Sequence, residues 1–231
     1  MSVKIDLKIL LFLLLFSLTS QIELYVLLML FAFIHELGHL CSGIFLGFKP
    51  QEIAITPVGM KIEFKPKCEE YNQKVKKANT LAIKRAIVAL AGPITNFIII
   101  AITLVIQHVN PQWLAWNNTM NVATIIYSNF LIGIFNLIPI YPLDGGRLVR
   151  EILHITVGLK KAETYTYKIS KFTLILLTII ASIAILYLQN ISIIIILAYL
   201  LGIVLVERKR YYTRRRIHRI LAERINESAL F

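Results

Sequence analysis

His35-Glu36-Leu37-Gly38-His39 carries the residue types of zinc-assisted hydrolysis at a spacing that a helix turns into a site. Four positions apart, His35 and His39 fall on one helical face, where two imidazole nitrogens can bind one zinc ion. Glu36 stands beside the first ligand and can take a proton from water that the ion polarises, which makes it the candidate catalytic base. Gly38 lets another span or a substrate approach the metal closely. Around this string, Leu24–Leu46 contains no Lys, Arg or Asp and no other Glu. An ionisable group at membrane depth is costly and marks a functional site. A hydrogen-bonded core pair of histidines is the plainer alternative, and the complete His-Glu-x-x-His string argues against it.

A catalytic zinc takes three protein ligands and leaves a position for water or substrate. His108, His154 and His218 are poorly placed to be the third: the first lies on the side free of basic residues, the second beyond the Asp-Gly-Gly sequence and the third in an Arg-rich tail. Asp144 is the better choice, being the only acid between Glu70 and Glu151. It follows Asn136-Leu137-Ile138-Pro139-Ile140-Tyr141-Pro142-Leu143 and precedes Gly145-Gly146. Two prolines remove backbone donors and two glycines permit positive φ, so a regular helix is expected to fail, leaving Asp144 on a loop. Irregular backbone near a membrane needs protein or a water-filled cavity around it, which predicts a polar access path from the cytoplasmic face. Asn96, Asn129 and Asn136 are candidates to hydrogen-bond substrate backbone or a developing oxyanion. Helix–helix packing is the equally good alternative for each.

The elements that must position these residues are apolar spans. Of 231 residues, 57% are hydrophobic and 16% charged, well below the roughly 25% charged of a soluble domain. Mean hydropathy is +0.71. Spans are predicted at about Ile5–Ser20, Ile22–Leu46, Ala86–Gln107, Asn121–Ile140, Phe172–Leu188 and Ile191–Val206, the first of them short. All 25 Lys and Arg then fall on one side, and the segments near Gln21, His108–Met120 and Gln189–Asn190 hold none. By the positive-inside rule this is a six-span protein with both termini cytoplasmic. No cleavable signal peptide is expected, because the first apolar run leads into the second without a small-residue cleavage site.

Between the second and third spans, Glu52–Thr56 and Met60–Phe64 alternate around Pro57-Val58-Gly59 and predict a β-hairpin. Its unpaired edge would accept an extended peptide, and a structural connector is an equal reading. Glu69–Arg85 is a basic approach to the membrane surface. The net charge of +12 does not point to nucleic acid, since no recognition module is present. The basic tail, residues 207–231, is expected to lie on anionic lipid headgroups. Cys41 and Cys68 are too few for a disulfide framework.

With these residues in view, the chain resembles the site-2 protease family of intramembrane zinc metalloproteases, peptidase family M50. The matching pieces are His35-Glu36-Leu37-Gly38-His39, then Ala91-Gly92-Pro93-Ile94-Thr95-Asn96, then Asn136, Pro139 and Leu143-Asp144-Gly145-Gly146, in the family's order. The resemblance implies an all-α polytopic fold of six transmembrane helices with a membrane-reentrant hairpin at Glu52–Phe64 that presents substrate. It implies Zn2+ on His35, His39 and Asp144, with Glu36 as base. Its implied partners are a membrane-tethered protein substrate and inhibitory membrane-protein regulators, in a bacterial cell membrane. Within the family, the compact layout and the Asn129/Asn136 spacing look most like the sporulation stage IV protein FB branch, which releases a sigma factor from its pro-form. That branch commonly carries a C-terminal CBS domain, and neither a CBS nor a PDZ domain is expected in this chain.

Two rival readings separate on simple grounds. A catalytically idle membrane-segment binder has no need of Glu36. A metal transporter predicts several ligand sets along a path, and the sequence offers one.

Overall fold

A computed structural model of the chain describes residues 2–5, 22–56, 59–65, 76–109 and 121–188, with scattered positions within 7–17 and 201–216. Most of the predicted first and sixth spans therefore lie outside the described residues, as do Cys68, residues 110–120, His218 and most of the basic tail. Two compact units are present, residues 1–137 and 138–231.

In the first unit, α1 (Ile22–Phe45) carries the His-Glu-x-x-His string. Its 24 residues reach about 36 Å, enough to cross a hydrocarbon core of ~30 Å. The helix ends in a tight cap. Gly47 takes φ +87°, while its N–H donates to the Ile44 carbonyl and the Phe48 N–H donates to that of Gly43. This 6→1 and 5→2 pairing satisfies two orphan carbonyls and needs a residue without a Cβ at the left-handed position. Phe48 is thereby turned onto Phe64, 5.9 Å between ring centroids, and the Phe64 ring fills the space left by Gly43.

Beyond the cap, β2 (Lys49–Thr56) and β3 (Gly59–Lys65) run antiparallel with Thr56 opposite Gly59. They are longer than the predicted segments at both outer ends. The prediction also missed a strand. β1 (Ser2–Ile5) pairs in parallel with β2, Ser2 opposite Glu52 and Ile5 opposite Ile55, making a sheet of order β1-β2-β3. Ile5 is thus in a strand, not at the start of a span. A two-stranded hairpin is marginally stable alone, and the added strand supplies the missing hydrogen-bond partners.

α2 (Lys76–Val109) begins ten residues before the predicted span, so much of the expected basic approach is helical. The Lys84 ammonium donates to the Leu46 carbonyl, 3.1 Å away, past the end of α1. α3 (Val122–Leu137) opens on Asn121, whose side-chain oxygen accepts from the Thr124 N–H at 2.8 Å in an N-cap.

Among the described residues, α1 and α2 are long and apolar enough to cross a membrane, and α3 is a shorter apolar helix. Less than a third of the most apolar windows of α1 and α2 is buried. Phe45 is 89% exposed and Val105 62%. Apolar helices of a water-soluble core would hide these side chains, so the exposed surface suits lipid.

The second unit is a helical hairpin of α4 (Asp144–Val157) and α5 (Leu159–Leu188), turned at Gly158 with φ +82°. α5 contains the predicted fifth span and starts well ahead of it. Residues 138–143 form the irregular break that the prolines predicted. Asp144 itself does not lie on that loop. It is the first residue of α4, because Gly145 and Gly146 enter the helix instead of ending it. The physical reason is packing: a Cβ at Gly146 would lie 2.6 Å from the Ile140 carbonyl oxygen, so the absent side chain lets the first turn close onto the break.

Candidate metal centre

The helical spacing of His35 and His39 places their rings edge to face, 4.9 Å between centroids, with Nε2 atoms 3.2 Å apart. Both side chains are buried. Each ring is tied at its other nitrogen. His35 Nδ1 donates to Asn96 Oδ1, and His39 Nδ1 donates to the Val88 carbonyl at 2.7 Å. These acceptors assign the protons to Nδ1 on both rings, so both Nε2 atoms present lone pairs. Two facing lone pairs repel, and a cation between them removes the conflict. With Zn–N bonds of ~2.0–2.1 Å, the observed separation subtends about 99–106° at a metal, near the tetrahedral angle. The residues present therefore fit a zinc ion.

α2 builds the wall of this pair. Val88, Gly92 and Asn96 are four residues apart and make one stripe along the helix. Val88 holds His39 and Asn96 holds His35, while Gly92 lies between them. A Cβ on Gly92 would crowd both Nε2 atoms, within 2.6 Å of that of His35. Gly38 serves the same close approach from α1, since a Cβ there would overlap Thr95 Oγ1 and lie 2.9 Å from the Ala91 carbonyl oxygen. The neighbour that Gly38 admits is thus a helix.

The asparagines are placed unequally. Asn96 and Asn129 are fully buried, and Asn96 Nδ2 donates to Asn129 Oδ1 at 2.9 Å. Asn129 Nδ2 in turn donates to the Ile125 carbonyl, which extends the chain His35–Asn96–Asn129 into α3. Such a chain fixes the tautomer and direction of a metal-binding imidazole. Sequence reasoning singled out Asn96 and Asn129 without this role; their spacing from Gly92 and Gly133 was the available signal. Asn136 is half-buried at the end of α3, its Nδ2 donating to the Ile132 carbonyl. Asn96→Ala is expected to weaken zinc binding about 10–100-fold, read by competition with a chromophoric chelator. Wild-type affinity in that variant would separate Asn96 from His35 orientation.

Glu36 is half-buried on α1, next to His35. In the second unit, Asp144 is buried in the first turn of α4, with Arg147 Nη1 3.6 Å from its carboxylate.

Residues 23–113 and 105–180 match peptidase family M50, together more than half of the chain. A zinc metalloprotease of Methanocaldococcus jannaschii is 30% identical over 152 residues, which cover 64% of this chain and 39% of that protein. Stage IV sporulation protein FB of Bacillus subtilis is 27% identical over 162 residues, 66% of this chain and 48% of that protein. The chain thus aligns with less than half the length of these curated relatives. The solved structure of a site-2 protease from Methanocaldococcus jannaschii superposes with a TM-score of 0.63 at 24% identity, covering 87% of this chain and 88% of that one, which shows a shared fold. On the family match and the motif order, the chain belongs to peptidase family M50.

Proposed function

We propose that the chain is a zinc-dependent intramembrane endopeptidase that cuts membrane-embedded or membrane-tethered proteins. One observation carries this reading. In a helix apolar enough to span a bilayer, two buried histidines turn their Nε2 atoms toward each other, 3.2 Å apart, beside a glycine that keeps the space next to them open.

We place zinc on His35, His39 and Asp144. When bound, zinc supplies Lewis acidity, making water acidic near neutral pH and polarising the scissile carbonyl. Glu36 accepts the proton of the attacking water and passes it to the leaving amine. Asn96 and Asn129 act through His35, which they orient. Asn136 hydrogen-bonds substrate backbone beside the break.

The layout proposed is six spans with both termini cytoplasmic, supported by the one-sided distribution of the 25 basic residues. A helical substrate must unwind before its amides can be attacked, and an extended segment can add to the edge strand β3. The name of the Bacillus relative supports a sporulation role. A pro-sigma factor as substrate and membrane-protein inhibitors as regulators are proposed with that role on the motif resemblance alone. The basic tail rests on anionic headgroups.

The test is co-expression with membrane-tethered candidate substrates, a pro-sigma factor first, read as a size shift. The shift is expected and should vanish on zinc chelation. A panel of tethered substrates left whole would overturn the protease reading. Cleavage of others but not of the pro-sigma factor would overturn the sporulation role alone.

A further inference from the structure

We infer that Ser170 and Arg150 are positioning residues that tie the break before α4 to α5 and so fix the direction of the Asp144 carboxylate. The inference rests on the reading of Asp144 as a zinc ligand.

Asp144 is the first residue of its helix, and Leu143 before it offers no side-chain cap. The path of residues 138–143 therefore sets where its side chain emerges. Inside the break, the Ile140 N–H donates to the Ile138 carbonyl at 2.7 Å and the Leu143 N–H to the Ile140 carbonyl at 2.8 Å. The Tyr141 N–H points elsewhere. It donates to Ser170 Oγ on α5 at 2.9 Å, and Ser170 is buried. The bond is partly shielded from solvent, and a shielded backbone donor that loses its acceptor costs free energy, so Ser170 holds the main chain at the middle of the break.

Arg150 makes a second tie through side chains. Its guanidinium carbon lies 5.6 Å from the Tyr141 ring centroid, and its Nη1 is 3.4 Å from the Tyr141 hydroxyl oxygen. Its Nη2 is 3.5 Å from Glu163 Oε1 on α5. Tyr141 is thus gripped at both its backbone and its ring. Movement at Tyr141 passes directly to α4, because Gly146 lies against Ile140 and Tyr141 with no side chain between them. Asp144 sits two residues from that contact. Neither Ser170 nor Arg150 has a part in the proton transfers, and both act only through the backbone that carries Asp144.

The test uses the full chain in lipid bicelles, with cobalt(II) as the probe metal. Two readouts are followed in Ser170→Ala, Ser170→Thr and Asp144→Asn: hydrogen exchange of the 138–143 segment without metal, and the visible cobalt spectrum with its titration. Ser170→Ala is expected to speed exchange in the break, weaken cobalt binding about tenfold and shift the visible bands. Ser170→Thr keeps a hydroxyl at the same place and should restore both. Unchanged exchange in Ser170→Ala overturns the tie. Faster exchange with a wild-type cobalt spectrum and affinity overturns its link to Asp144. Asp144→Asn separates the two ideas: it should weaken cobalt binding with the break still protected, and wild-type cobalt binding there overturns the ligand assignment and, with it, the positioning role.

Discussion

Glu36→Gln is expected to keep zinc at wild-type stoichiometry and to lose cleavage of a tethered substrate by about 10²–10⁴-fold, the usual worth of a general base. The amide has nearly the shape of the carboxylate and cannot accept the proton of the attacking water. His35 and His39 keep their anchors at Asn96 and Val88, neither of which involves Glu36. Metal content, measured on purified protein, should therefore stay at wild type while the catalytic constant falls. KM should change little, because the lost interaction belongs to the transition state. A catalytic constant within a few-fold of wild type would remove Glu36 from the mechanism. Parallel loss of zinc would recast it as a structural support of the site.

Gly92→Val should empty the centre altogether. Its side chain would start within 2.6 Å of His35 Nε2 and press equally on His39. α2 cannot retreat to make room, because the same stripe carries Val88 and Asn96, whose oxygens hold the two Nδ1 atoms. Moving the helix back far enough for an isopropyl group would break both anchors. Zinc content below about a tenth of wild type is expected, and cleavage should fall with it, since the site loses both its metal and the ring directions. Gly92→Ala, with one methyl group, provides the graded case and should retain the fold with weakened zinc. Full zinc occupancy in both variants would mean that the space beside the histidines is not where the ion binds.

The chemistry of this chain was more legible than its architecture, for physical reasons. Helix geometry turns a four-residue spacing into a shared face, so His35 and His39 could be paired from sequence alone. Asp144 could be singled out as a candidate because acids are scarce in apolar sequence. Its setting could not: Gly145-Gly146 reads as a helix breaker, and only the close packing of Gly146 on Ile140 explains why the helix starts there instead. The tie of Asn96 to His35 and of Ser170 to Tyr141 joins residues far apart in the chain, and one-dimensional periodicity carries no record of such pairs. The extra turns of α2 and α5 were hidden by their Lys residues, which end an apolar run without ending a helix. β1 was missed because four residues leave almost no alternation to read, and its partner strand is more than forty positions away.

The pairing of β1 with β2 also sets a rule of parity. Strands that share hydrogen bonds lie in one compartment, so Ile5 and Lys49 must be on the same side of a bilayer. Between them the chain can cross only an even number of times. This counting is independent of charge, yet it agrees with the basic residues Lys4 and Lys49, which the positive-inside rule assigns to one face. A short strand at the start of the chain thus acts as a topological checksum: labelling Ser2 and Lys49 from opposite sides of a sealed vesicle would contradict either the sheet or the membrane.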